Sequence, residues 1–183
     1  MWQKLLKSYF KMVLVAGLIC SSASSYSQNY TQKQKDSVLN AYVNLPNSDI
    51  KMVPPAYFKA FMKDGKFGFI HEGAASSISI EEIKGSAYTL IVKGMTKEYF
   101  EKQGVTLIAQ EEVKTRQNKD GTLMLVGFKV KSKDGEKEVE YERLMLFTGD
   151  YNRTIWINAN YPAMVRKVLL AALRESLLSV QFN

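Results

Sequence analysis

The sequence predicts an α+β domain in which an antiparallel β-sheet is sandwiched by helices, the last of them long and amphipathic. Three observations predict it. Apolar residues alternate with period two in several stretches bounded by turn residues. The connections between those stretches are too short for parallel crossovers. The chain then closes on a segment whose apolar residues recur at three- and four-residue steps.

The first 27 residues read as an export signal and not as part of the fold. Lys4, Lys7 and Lys11 precede the apolar run Met12 to Cys20, and small and polar residues follow. A basic start, an apolar middle and a small-residue end are the grammar of a secretory signal peptide, with cleavage expected between Ser27 and Gln28. Nine apolar residues fall far short of the roughly 20 that cross a bilayer. Ile19 stands before Cys20, where lipoprotein signals place Gly, Ala or Ser, so no lipid tether is expected. Residues 28–44 follow as an exposed polar arm, with a short helix sketched from Asp36 to Tyr42, and residues 45–183 form the domain.

Within the domain, Ile50 to Val53 forms a first short strand, closed by Pro54-Pro55. Lys66 to His71 follows the turn Lys63-Asp64-Gly65. Ala75 to Ile83 alternates at Ile78 and Ile80. Ser86 to Val92 and Lys97 to Gln103 read as short helices, the second N-capped by Thr96 and ended by Gly104. Four strands then form a meander: Val105 to Val113, Thr122 to Lys131, Lys137 to Thr148 and Thr154 to Ala159. The turns Asn118-Lys119-Asp120-Gly121 and Lys133-Asp134-Gly135-Glu136 both carry Asp-Gly, which tolerates the positive φ of tight hairpins. The last helix starts at Pro162 and carries Val165, Val168, Leu169, Ala172, Leu173, Leu177 and Val180 on one stripe.

This order of pieces resembles the PsbP/DcrB-like group of small domains. The likeness is carried by Pro54-Pro55-Ala56-Tyr57, Phe67-Gly68-Phe69, Met95-Thr96-Lys97-Glu98-Tyr99, Gly104-Val105-Thr106-Leu107, Glu111-Glu112-Val113, Phe147-Thr148-Gly149-Asp150 and Ala159-Asn160-Tyr161-Pro162. It spans Ile50 to Val180. These are turns, caps and core positions, so the resemblance carries over no catalytic residue. It implies an antiparallel sheet between helices and a non-enzymatic accessory role, as in photosystem subunits, bacterial envelope proteins and a nuclear-transport factor. A cystatin-like sheet wrapped on one helix would share many of the same elements.

Composition narrows the chemistry. The 183 residues carry a net charge of +7, one His and one Cys, which excludes most thiol, zinc and Ser-His-Asp chemistry. Cleavage removes three lysines and no acid, leaving +4, and it also removes Cys20. His71-Glu72 cannot converge on one ion, because adjacent strand residues point to opposite faces. Glu138, Glu140 and Glu142 share one strand face and read as solvated, balanced by Lys129 and Lys131 of the neighbouring strand. Glu81-Glu82 and Glu111-Glu112 split across faces in the same way. No G-x-S-x-G elbow, S-x-x-K pair or phosphate-cradling loop occurs. No catalytic residue, cofactor or metal site is therefore expected.

Tyr57, Phe58, Phe61, Phe67 and Phe69 crowd together beside Pro54-Pro55. They read first as core, and otherwise as the wall of a partner-docking groove or an apolar pocket. The function expected is that of an exported, periplasmic or extracellular binding domain with an envelope or secreted protein as partner. The alternative is a carrier of a small apolar or lipid ligand. Nucleic acid is not expected, and membrane contact is confined to the signal peptide.

Overall fold

In the computed structural model, residues 41–63, 66–131 and 137–183 are described. The signal peptide with Cys20, the cut at Ser27/Gln28, most of the arm, and the turn residues Asp64-Gly65 and Asp134-Gly135 lie outside the described residues.

Among the described residues, nine strands and three α-helices follow one another: β1 (Val43–Asn44), β2 (Lys51–Met52), β3 (Lys59–Lys63), β4 (Lys66–His71), β5 (Ser76–Lys84), α1 (Tyr88–Lys93), α2 (Lys97–Glu101), β6 (Thr106–Lys114), β7 (Asp120–Lys131), β8 (Glu138–Asp150), β9 (Arg153–Pro162) and α3 (Arg166–Leu178). β1 and β2 pair as a small ribbon. The other seven form one sheet in the order β3-β4-β5-β9-β8-β7-β6, antiparallel throughout. The expected meander is β6 to β9. A second meander, β3-β4-β5, joins it through a long β5–β9 pairing that runs from Ser77↔Asn160 to Lys84↔Arg153.

The sheet has a core on each face, because its central strands bury both alternating sets of side chains. On the first face, Phe69, Ile78, Ile80, Leu123, Leu125, Leu144, Leu146, Ile155, Ile157 and Tyr161 pack under α3 and under the segments holding Ile50, Met52 and Phe182. On the second, Met124, Val126, Met145, Phe147 and Trp156 pack under Ile91, Met95 and Phe100 of the α1–α2 region. The α1–α2 connection carries the chain from β5 to the far edge at β6, and so crosses over β9, β8 and β7. It packs on β8, β9 and β6. This path leaves the β3–β5 half of the second face without a helix among the described residues.

Several local readings change. β3 is a strand where the sequence shows only an aromatic cluster. The first strand shortens to Lys51–Met52 and bridges to Gln181. Tyr42, at the end of the sketched arm helix, carries no helix here. Pro162 does not open the last helix. It closes β9, and one 3-10 turn (Ala163–Val165) precedes α3. The buried stripe of α3 is rotated towards Leu173, Ser176 and Leu177, with Val168 and Ala172 exposed. Asp120-Gly121 does not form the β6–β7 turn. Asn118 supplies the left-handed residue (φ 61°), and Asp120 already starts β7. Thr96 caps α2 as expected, its Oγ1 accepting from the Tyr99 N–H at 3.2 Å. Among the described residues no helix is long and apolar enough to cross a membrane.

Candidate functional site

The five aromatics do not make one wall. Phe69 is wholly buried and Phe58 nearly so, both in the first-face core, with Phe67 packed edge-to-face on Phe69 at 5.3 Å. Phe61 is half-buried, on the second face. Tyr57 is exposed, in a left-handed turn residue (φ 68°). Its ring and that of Phe58 meet His71 edge-on, at 6.5 Å and 5.5 Å. The His71 Nδ1 accepts from the Ala74 N–H at 3.2 Å and so caps the 3-10 turn Glu72–Ala74.

The acidic residues also resolve individually. Glu138 meets Lys129 at 3.5 Å, as a balanced surface strand requires. Glu142 departs from that reading, because it is buried. The Tyr161 hydroxyl donates to its Oε2 at 2.9 Å and Arg166 Nη1 to its Oε1 at 3.2 Å. Burial and the adjoining Glu142 carboxylate together push the Tyr161 phenol well above its ordinary range. The group ties β8 and β9 to the start of α3. The sequential pairs part across the sheet: Glu81 meets Lys66 at 3.5 Å, while Glu82 meets Arg153 at 2.9 Å. Glu111 bonds Arg174 of α3, while Glu112 accepts from the Thr122 hydroxyl.

The arrangement with unspent hydrogen-bonding capacity lies elsewhere, on the second face where the helices stop. Direct cross-strand partners share a face. One row is therefore Ser77, Asn160 and Arg143, and the next is Ser79, Asn158 and Met145. A third is Glu81, Trp156 and Phe147. Arg143 Nε donates to Asn160 Oδ1 at 2.6 Å. Burial lowers the Arg143 guanidinium to about 10, against the opposite pull of Glu81, so it stays cationic at neutral pH. Asn158 is fully buried, yet both atoms of its amide lack a hydrogen-bond partner among the described residues, as do Ser79 Oγ and Trp156 Nε1.

A buried amide left without partners costs about 1–3 kcal/mol, and Asn158 carries that cost among the described residues. The patch grades from closed to open, from Asn158 through half-buried Ser79 to Lys66, whose side chain is 45% exposed. None of these residues stands out by motif. The signal available was the polar half of two alternations, Ser77-Ile78-Ser79-Ile80-Glu81 and Trp156-Ile157-Asn158-Ala159-Asn160, in strands that turn out to be central.

A separate groove of about 320 Å³ lies at the β6–β8 end of the sheet, lined by residues including Ile108, Phe128, Lys129, Glu140 and Tyr141. It is away from the aromatic run, and its lining mixes charged and apolar side chains.

No protein-family model matches the sequence, and comparison with curated proteins finds no relative. Solved structures do share the fold. The Ran-binding protein Mog1p of Saccharomyces cerevisiae superposes with a TM-score of 0.53 at 14% identity, over 78% of this chain and 95% of that one. Cyanobacterial PsbP (CyanoP) from Synechocystis superposes with a TM-score of 0.50 at 9% identity, over 89% of this chain and 98% of that one. A chain from Bacteroides thetaiotaomicron aligns with 74% of this chain at 14% identity and a TM-score of 0.48, and this chain spans 45% of its length. The fold is thus one that PsbP and Mog1p share, at a distance, and at these identities the likeness is one of fold.

Proposed function

We propose that the protein is an exported, non-enzymatic binding domain that acts through a protein partner in the cell envelope. The observation that carries this reading is the β3–β5 half of the second sheet face, which no helix among the described residues covers and which presents exposed Lys59 and Lys63. The fold it shares with a Ran-binding protein supports a binding role for the scaffold. The export half of the reading rests on the basic, apolar and small-residue succession of residues 1–27.

Two measurements test the two halves. Mass spectrometry of the protein recovered from cells is expected to find Gln28 at the N-terminus; an intact Met1 would refute the export reading, and a lipid on Cys20 would overturn the cut site. Cross-linking in intact cells is expected to give a discrete adduct with an envelope protein. That adduct should be lost when exposed Lys59 and Lys63, beside the patch, are both changed to Glu. A domain that folds and is exported but forms no adduct sinks the partner reading.

A further inference from the structure

We propose that β3 is an open edge to which an acidic, extended segment of the partner adds as a further strand. The proposal rests on the protein-partner reading above and names the geometry of its contact. Among the described residues β3 pairs only with β4, so it ends the sheet. Residues of an antiparallel strand alternate between bonding the neighbour and pointing away from it. The outward N–H and C=O groups of β3 therefore face away from the sheet, where another main chain can take them. They are accessible, because Lys59, Ala60, Met62 and Lys63 are exposed and Phe61 is half-buried.

The other edge is built differently. β6 carries a register shift between Leu107 and Ala109, and its charges are engaged within the molecule: Glu111 with Arg174, Glu112 with Thr122 and Lys114 with Asp120. A bulge is one way an edge is closed to partners. β3 instead keeps an unbroken register from Lys59↔Ile70 to Lys63↔Lys66, and neither Lys59 nor Lys63 has an ion pair among the described residues. Lysines by themselves also guard edges, but these flank apolar side chains that a guarded edge would hide. Met62 is 55% exposed.

Charge and spacing decide what the incoming strand carries. Lys59, Phe61 and Lys63 share the second face. Gly68 lies across from Phe61, and a Cβ there would come within 2.9 Å of the Phe61 ring, so the glycine makes room for that ring between the two lysines. Cross-strand partners face one another, so carboxylates four residues apart with an apolar residue midway match this row. A second copy of β3 would set lysine against lysine. A phosphate backbone brings only acceptors and leaves the outward C=O groups unmet.

The test is a titration of the protein recovered from cells, followed by NMR-detected amide exchange. The probes are the capped peptide Thr-Glu-Thr-Val-Thr-Glu-Thr, its counterpart with Lys in place of both Glu, and a single-stranded oligothymidylate. The Glu peptide is expected to bind and to protect alternate β3 amides, and the other two probes to leave them unprotected. N-methylating alternate peptide nitrogens is expected to abolish binding in one phase and spare it in the other, because one edge of an added strand faces β3. Lys59→Glu/Lys63→Glu is expected to weaken the Glu peptide by about tenfold or more and to bind the Lys counterpart, with Tm unchanged.

No binding of the Glu peptide, equal binding of its Lys counterpart, tighter binding of the oligonucleotide, or an equal effect of the two methylation patterns each overturns the proposal. So does a double variant that folds and keeps its affinity for the Glu peptide. The methylation comparison leaves the protein unchanged, so it decides even if the double variant misfolds. If cells give the adduct but the Glu peptide leaves the β3 amides unprotected, the edge is refuted as the contact and the broader partner reading stands. The absence of any adduct refutes that reading itself.

Discussion

Arg153 is the residue on which the ends of the described chain converge. Its guanidinium donates to both carboxylate oxygens of Asp49 and to the Asn183 main-chain carbonyl, meets Glu82 at 2.9 Å, and lies 5.5 Å from the Phe182 ring centre. The hydrogen bond from Arg153 holds the Asp49 carboxyl at about 2, below its ordinary 3.8. A depressed carboxylate stabilises the fold above its unfolded pKa, and that stability disappears as the pH falls through the folded value. Asp49→Asn is therefore expected to lower stability at neutral pH by about 1 kcal/mol, near the limit for a pair whose carboxylate is 37% exposed. The gap in Tm between the two proteins should close as the pH falls from 3.8 towards about 2. A gap that is constant with pH would show that Asp49 acts by packing alone.

Gly149 shows a backbone constraint at the same scale. Its φ is +147°, and a Cβ there would sit 2.0 Å from the Arg153 carbonyl oxygen. Gly85 also has a positive φ, +79°, but a Cβ there meets nothing within 4 Å. Gly149→Ala is thus expected to destabilise by roughly 2–4 kcal/mol, and Gly85→Ala by about 1 kcal/mol. Thermal melts of the two variants check the order, and an equal loss would refute the steric account. Gly149 was visible in the sequence as part of a turn, but its close approach to Arg153 depends on the pairing of β8 with β9.

At the scale of elements, the strands with clean alternation and the capped helix α2 were legible, because their patterns are local. β3 was not, since Lys59-Ala60-Phe61-Met62-Lys63 becomes a strand only by pairing with Lys66–Ile70 across the hairpin. The β5–β9 pairing joins residues 69 (Lys84↔Arg153) to 83 (Ser77↔Asn160) positions apart, and no local pattern encodes that. Because β9 became a central strand, Asn158 and Asn160 changed from an unremarked polar side into buried groups, which is why the candidate site escaped the sequence.

The last helix shows the same limit. A stripe at three- and four-residue steps fits more than one rotation, and the covering segments around Val53 select among them. Ser176 Oγ donates to the Val53 carbonyl at 2.6 Å, and Ser179 Oγ accepts from its N–H at 2.8 Å. These bonds turn the serine side inward and leave Val168 78% exposed. Leu173→Ala is expected to cost about 2–5 kcal/mol, and Val168→Ala less than about 0.5 kcal/mol. Denaturant titration of the pair checks the rotation, and comparable losses would contradict it.

At the scale of the molecule, the two layers share their central strands. Along β8, Leu144 and Leu146 enter one core while Met145 and Phe147 enter the other; along β9, Ile155 and Ile157 alternate with Trp156 in the same way. Neither layer can be lost without stripping one face of the strands that hold the other, so the sheet couples the two cores into one cooperative unit. Trp156 reports on the α1–α2 layer, and α3 contributes much of the helical signal from the opposite layer. In a Trp2→Phe background, unfolding followed by Trp156 fluorescence and by far-ultraviolet circular dichroism is expected to give one coincident transition. Amide exchange should be slowest in β8, β9 and β5, which have hydrogen-bonded neighbours on both sides, and faster in the edge strands β3 and β6. Two separated transitions, with the fluorescence change leading, would show instead that the short helices α1 and α2 detach on their own. The second core would then be an independent lid over a sheet held by α3.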